Sequence, residues 1–319
     1  MLLNINNCIA FTWMARKKLT LLLFIFLISL PIGAKAERSL AVVVYPQVSS
    51  TYGRLIDAMI KGMKNNSILK ISKYEINKNT SINEVREIIN QDANDAVVSL
   101  GGFALDMVKK TSPSIPIIAS ATLLNSDTKA GISLIGDPEE FMKLLGRLAP
   151  NIKRVHVVYN KYNSHWYIKR SVSAANTNRI TLKAYEAENV NEAAIIYKNI
   201  MNKVDGKHDA VWILMDRVIP QNAILPEILQ QAWDKNIITF SSNPVHVKQG
   251  VLFALYPNYE KIGHDLVKLT DSIISNAAAN LIHPATGMKS SVNVRTASHL
   301  GLRISPLQLE KFDSVFPTH

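Results

Sequence analysis

From Leu40 onward the chain alternates short β-branched apolar runs with stretches whose apolar positions recur every three to four residues. That alternation predicts βαβ units and parallel sheets. Strands are expected at 40–45, 71–76, 96–100 and 115–119, with helices at about 52–65, 82–90 and 103–109 between them. In the first helix Leu55, Ile56, Met59, Ile60 and Met63 share one face. Asp137 and Pro138 open a helix that Ala149-Pro150 closes near Leu148. The pattern then restarts. Strands are expected at 155–159, 181–185, 210–215, 237–240 and 251–255, and helices at about 167–176, 190–201 and 221–234. A long helix at about 259–275, an extended stretch 288–294 and a short helix near 296–300 follow. Two similar halves, joined near Pro150, describe two Rossmann-like lobes rather than one sheet.

Composition narrows the class. A chain of 319 residues, 47% hydrophobic and 19% charged, buries a proper core and is not disordered. Its first 36 residues read differently. Arg16-Lys17-Lys18 precedes the apolar run Leu19–Leu30, and Ala34-Lys35-Ala36 offers a small-x-small cleavage site. This is the order of a secretory signal, and the run is too short to span a bilayer comfortably. Export to the periplasm with cleavage after Ala36 is expected, and Met14 stands as an alternative start.

The only cysteine, Cys8, falls in that leader, so the mature chain is expected to hold no disulfide and no thiolate site. Losing Arg16, Lys17, Lys18 and Lys35 reduces the formal charge from +11 to 32 basic against 25 acidic residues, or +7. That surplus is spread along the chain, which argues against a nucleic-acid partner. No Gly-x-Ser-x-Gly elbow, phosphate loop or His-Glu-x-x-His helix is present, and the eight histidines include no i, i+4 pair. An enzyme, a metal and a cofactor are therefore not expected.

Several segments resemble the tryptophan/tyrosine-type family of ABC transporter substrate-binding proteins. Leu144 to Val155 is similar to that family's lobe junction, Tyr159-Asn160 with Asn163-Ser164 to its loop after the next strand, and Val204 to Ala210 with Met215-Asp216 to another stretch. Tyr259 to Leu266 resembles the start of its long helix. Val292 to Ala297 with Leu300-Gly301-Leu302, then Ile304-Ser305-Pro306, resembles its terminal motif. In the first half Gly131 to Leu134 echoes the family, whereas Ala121-Thr122-Leu123-Leu124-Asn125 stands where it has Asp-Pro.

The resemblance implies an α/β type I periplasmic binding fold, two Rossmann-like lobes with parallel sheets joined by hinge crossovers. Lobe 1 would comprise 37–150 plus about 257–290, and lobe 2 would comprise 151–256 plus about 291–319. It implies a monomer that binds a small amino-acid-like or related organic solute between the carboxyl ends of the strands and delivers it to an inner-membrane ABC permease. A sensory or interaction module signalling to a membrane partner would use the same fold.

Ligand-binding candidates are the residues at those strand ends. In lobe 1 they are Tyr45, Ser49, Tyr52, Gly101, Gly102 and Thr122. In lobe 2 they are Asn163, Ser164, Trp166, Asp216, Ser242 and Asn243. Tyr45, Tyr52 and Trp166 suit stacking on an aromatic solute or packing between lobes, and Gly101-Gly102 suits close backbone approach or a tight turn. Asn163 and Ser164 suit a carboxylate or plain helix capping. Asp216 suits a ligand ammonium, a solvated strand end, or pairing with Arg217.

Overall fold

The structure, a computed structural model, describes residues 40–48, 51–65, 68–219, 224–276 and 281–317. The expected leader, Cys8 and Ser49 lie outside them, and the statements below concern the described residues.

In chain order the first part runs β1 (Leu40–Pro46), α1 (Thr51–Lys64), β2 (Lys70–Ile76), α2 (Ile82–Asn90), β3 (Ala96–Leu100), α3 (Gly102–Thr111), β4 (Ile117–Ser120) and β5 (Gly131–Gly136). The second runs α4 (Pro138–Leu148), β6 (Arg154–Tyr159), α5 (Lys161–Thr177), β7 (Thr181–Glu186), α6 (Val190–Lys203), β8 (Asp209–Ile213), α7 (Leu225–Asp234), β9 (Ile238–Ser241), α8 (Val245–Gln249) and β10 (Phe253–Pro257). Then come α9 (Tyr259–Ile274), β11 (Ile282–Ala285), β12 (Met288–Asn293), α10 (Val294–His299), α11 (Pro306–Leu309) and β13 (Ser314–Phe316).

Local chemistry sets the helix ends. Ser81 and Glu84 form a reciprocal capping box on α2. Asp137 accepts from the Glu139 N–H with Pro138 at the first position of α4. Asn160 caps α5 by accepting from the Asn163 N–H. That cap starts α5 at Lys161, six residues before the start expected from apolar spacing, because its first turns carry few apolar side chains.

The strands form two sheets, as the alternating pattern predicts. One has the order β11-β5-β4-β3-β1-β2 and the other β13-β12-β10-β9-β8-β6-β7. Neighbours run parallel except β12, which is antiparallel to β10, so the second sheet is mixed rather than wholly parallel. Three segments of chain pass from one sheet to the other: β5 into α4, β10 into α9, and β11 into β12.

The first crossover corrects the expected junction. α4 belongs to the second lobe: Phe141, Met142, Leu144 and Leu145 join its core, where Phe141 lies 4.8 Å from Trp212 between ring centroids. Lobe 1 therefore ends at Gly136 rather than Pro150. The helix reads equally well in either lobe from its own sequence, and the aromatic row that receives it is distant in the chain. The passage from β11 to β12 likewise falls at 286–287, slightly before 290. The strand β5 went unpredicted because Gly-Ile-Ser-Leu-Ile-Gly is short and glycine-bounded.

Candidate functional site

Both β5 and β10 leave their sheets from their carboxyl ends to enter the opposite lobe. The loops at the carboxyl ends of the two sheets therefore face each other, and the candidates sort into three groups there.

In lobe 1, Tyr52 from α1 donates its hydroxyl to the Ala121 carbonyl. Burial raises the Tyr52 pKa, which keeps it a donor. The same hydroxyl stands 3.0 Å from where a Cβ on Gly101 would lie. Gly101 has φ +94° and caps α3 with no side chain, so backbone N–H groups of the first turn receive no capping side chain. Gly102 sits beside the Thr122 hydroxyl. Tyr52, Gly101, Gly102 and Thr122 thus converge, whereas Tyr45 packs against the lobe 1 core.

In lobe 2, Asp216 is buried. Its Oδ2 accepts from the Asn160 N–H at 3.1 Å and from the Ser164 hydroxyl, and its Oδ1 accepts from the Val218 N–H at 3.1 Å. It is neither a solvated strand end nor one of the ion-paired carboxylates; it ties the loop after β8 to the first turn of α5. Asn163, beside it in that turn, donates to Asn160 Oδ1 at 2.9 Å. The Asn163 Oδ1 is buried and has no partner, an acceptor left open for a donor.

The third group surrounds the end of β9. Ser242 accepts from Trp212 Nε1–H at 3.3 Å. Asn243 donates its N–H to Ser241 Oγ at 3.0 Å and its side-chain amide lies 3.3 Å from His246 Nε2. His246, which sequence reasoning missed, is buried and its pKa is lowered to about 4 by desolvation.

Trp166 does not join these groups. Its indole Nε1–H donates to the Leu124 carbonyl at 3.1 Å, and the ring rests on Leu105, Ala119 and Leu124 of lobe 1. Two further residues stand just after the carboxyl ends of strands. Asn160 organises the α5 turn, and its signal was the polar residue directly after a strand. Phe103, 40% exposed at the start of α3, follows the Gly101-Gly102 pair. Among the described residues no group of His, Cys, Asp and Glu is placed to hold a metal ion.

The family model described as ABC transporter substrate binding protein matches residues 40–314. No curated protein matches. Three solved structures each share 17% identity, cover 88% of this chain and are covered over 100% of their own length. One is the ABC domain in complex with L-Trp from Streptococcus pneumonia, TM-score 0.55. Another is the ligand-free, open structure of a substrate binding protein with adhesive properties from Clostridium difficile, TM-score 0.58. The third is a conserved domain protein from Vibrio cholerae, TM-score 0.55. At that identity they show a shared fold, and the family match goes further: this chain belongs to the ABC transporter substrate-binding proteins.

Proposed function

We propose that the protein captures a small amino-acid-like or related organic solute in the crevice between its lobes and delivers it to an inner-membrane ABC permease after export to the periplasm. One observation carries the reading. On the lobe 2 side, at the start of α5, stand two acceptors: the Asp216 carboxylate, already held by three donors, and the buried, unpartnered Asn163 Oδ1. The lobe 1 side offers donors, the uncapped start of α3 and the Thr122 hydroxyl. A zwitterion presents an ammonium and a carboxylate at one end, and this pairing of acceptors with helix N–H donors complements it. The exposed Phe103 ring supplies apolar surface for a side chain. The L-Trp carried by one structural neighbour belongs to the same ligand class.

The test is thermal unfolding of the protein, stripped of copurified ligand, against amino acids and related solutes. A ligand at 100 times its dissociation constant adds about 2.7 kcal/mol to stability, which moves the midpoint of a chain this size by about 5 °C. A clear hit names the solute class. No shift across the panel would remove the solute reading and leave the interaction or sensory module.

A further inference from the structure

Between β4 and β5 the chain leaves the lobe 1 sheet and lies on lobe 2. Leu123 packs against the aromatic core of the second lobe. The Leu124 carbonyl accepts from Trp166 Nε1–H at 3.1 Å, and its side chain forms part of the apolar seat of that indole. Asn125 Nδ2 donates to the Tyr162 hydroxyl at 3.1 Å, Ser126 N–H donates to the Tyr162 carbonyl at 3.1 Å, and the Tyr162 hydroxyl donates to the Asp127 carboxylate.

The strap is also braced within itself. Asn125 Oδ1 accepts from the Asp127 N–H at 3.1 Å and from the Thr128 hydroxyl at 3.1 Å. At its lobe 1 end the Tyr52 hydroxyl holds the Ala121 carbonyl, and Ala121 has φ +55°. A left-handed alanine is a conformation that its surroundings must hold in place. Ala121–Asp127 is thus fastened to lobe 1 at one end and to α5 of lobe 2 along its length. The crevice residue Thr122 sits inside it, and α5 carries the crevice residues Asn163 and Ser164 in the same turns as Tyr162 and Trp166.

We propose that Tyr162 and Trp166 are positioning residues: through the Ala121–Asp127 strap they hold the ligand-free lobes together and fix the placement of Thr122 in the crevice. Tyr162 acts through a charge-assisted bond that its hydroxyl donates to the Asp127 carboxylate. Trp166 acts through one N–H and the packing of its ring. The lobes then open only when these contacts break, so the strap sets how readily the crevice admits and releases a solute. The inference deepens the solute-binding reading, yet its test needs no ligand, so the two succeed or fail separately.

The full chain carrying Cys8→Ser has no other cysteine and accepts paired nitroxide labels at Lys78→Cys and Glu188→Cys. These exposed positions follow β2 and β7, the sheet edges remote from the crossovers. In ligand-free protein the inter-label distances should form one narrow distribution. Tyr162→Phe and Asp127→Ala should each raise the open-to-closed ratio about tenfold, the worth of one hydrogen bond to a charged group. The double variant should match Tyr162→Phe, which already removes the bond to Asp127 and also the one from Asn125 Nδ2. Trp166→Phe keeps a smaller aromatic ring and loses the N–H, and should open the lobes to at least a similar extent. A wild-type distribution already as broad as that of Tyr162→Phe overturns the proposal. So do variants that lower the melting temperature while leaving the distances unchanged.

Discussion

Protonating His246 would set a second ring N–H against the Asn243 amide that now donates to Nε2. Nδ1 faces Ser241 Oγ at 2.8 Å, and that hydroxyl donates to the Ile213 carbonyl at 3.1 Å. The partners assign the neutral Nδ1–H tautomer, and burial disfavours the cation. The sign of the pH effect follows. The folded pKa, about 4, lies below the ordinary 6.5, so between these values the unfolded chain binds more protons. This contribution to stability is complete above about pH 6.5 and is lost as pH falls to about 4, an amount of about 3 kcal/mol. Burial lowers His156 in the same direction, so the comparison must isolate one site. Urea unfolding at pH 7 and at pH 4.5 should show His246→Gln losing about 2 kcal/mol less than wild type; equal losses would remove His246 as the source. Side-chain positions of this kind were partly legible in the sequence. Asp216 and Ser164 could be placed at strand and helix ends, but their mutual bond joins residues 52 apart. Spacing along one element carries no record of such a partner, and the same gap hid the lobe 1 seat of Trp166.

Whole elements were easier to read, because amphipathic periodicity is a property of one segment: 82–90 and 96–100 emerge with the bounds the pattern predicts. What periodicity leaves out is the neighbour of each face. α1 and α9 meet backbone to backbone through Gly62 and Gly263. A Cβ on Gly62 would lie 1.9 Å from the Glu260 carbonyl oxygen, and one on Gly263 would lie 2.0 Å from that of Met59. Gly146 in α4 has nothing within 4 Å of its Cβ position and is exposed. One substitution at these positions should therefore act with opposite signs. Gly62→Ala forces two backbones apart and should cost about 3 kcal/mol, at the upper end for overpacking. Gly146→Ala only removes conformational freedom from the unfolded chain and should stabilise by about 0.5–1 kcal/mol. Denaturant midpoints of the two variants measure both effects. A Gly62→Ala midpoint equal to wild type would mean that the α1–α9 approach is looser than described.

At the scale of the molecule the division into two halves was legible and its boundary was not, since the side chains that unite the lobes come from separate stretches of chain. The segment where the family resemblance breaks, 121–125, is also where the chain crosses onto the other lobe. Met288 packs against the cores of both lobes, and a Cβ on Gly136 would stand 2.2 Å from its Cε. Tyr167 donates to the Gly136 carbonyl at 2.7 Å and Arg170 to Asp137 at 2.7 Å, next to the first crossover. With three crossovers and these shared contacts, neither lobe unfolds without exposing apolar surface and orphaning polar groups of the other. Multi-lobed chains often depart from two-state unfolding; here the shared side chains argue for a single transition. Calorimetry of the ligand-free protein should show one endotherm whose calorimetric and van't Hoff enthalpies agree. Met288→Ala removes packing from both cores at once and should lower stability by about 2 kcal/mol, with the single endotherm moving down as a whole. Two resolved endotherms in the wild type would mean that the lobes are energetically independent. A Met288→Ala protein in which only one component moves would place that side chain in one core alone.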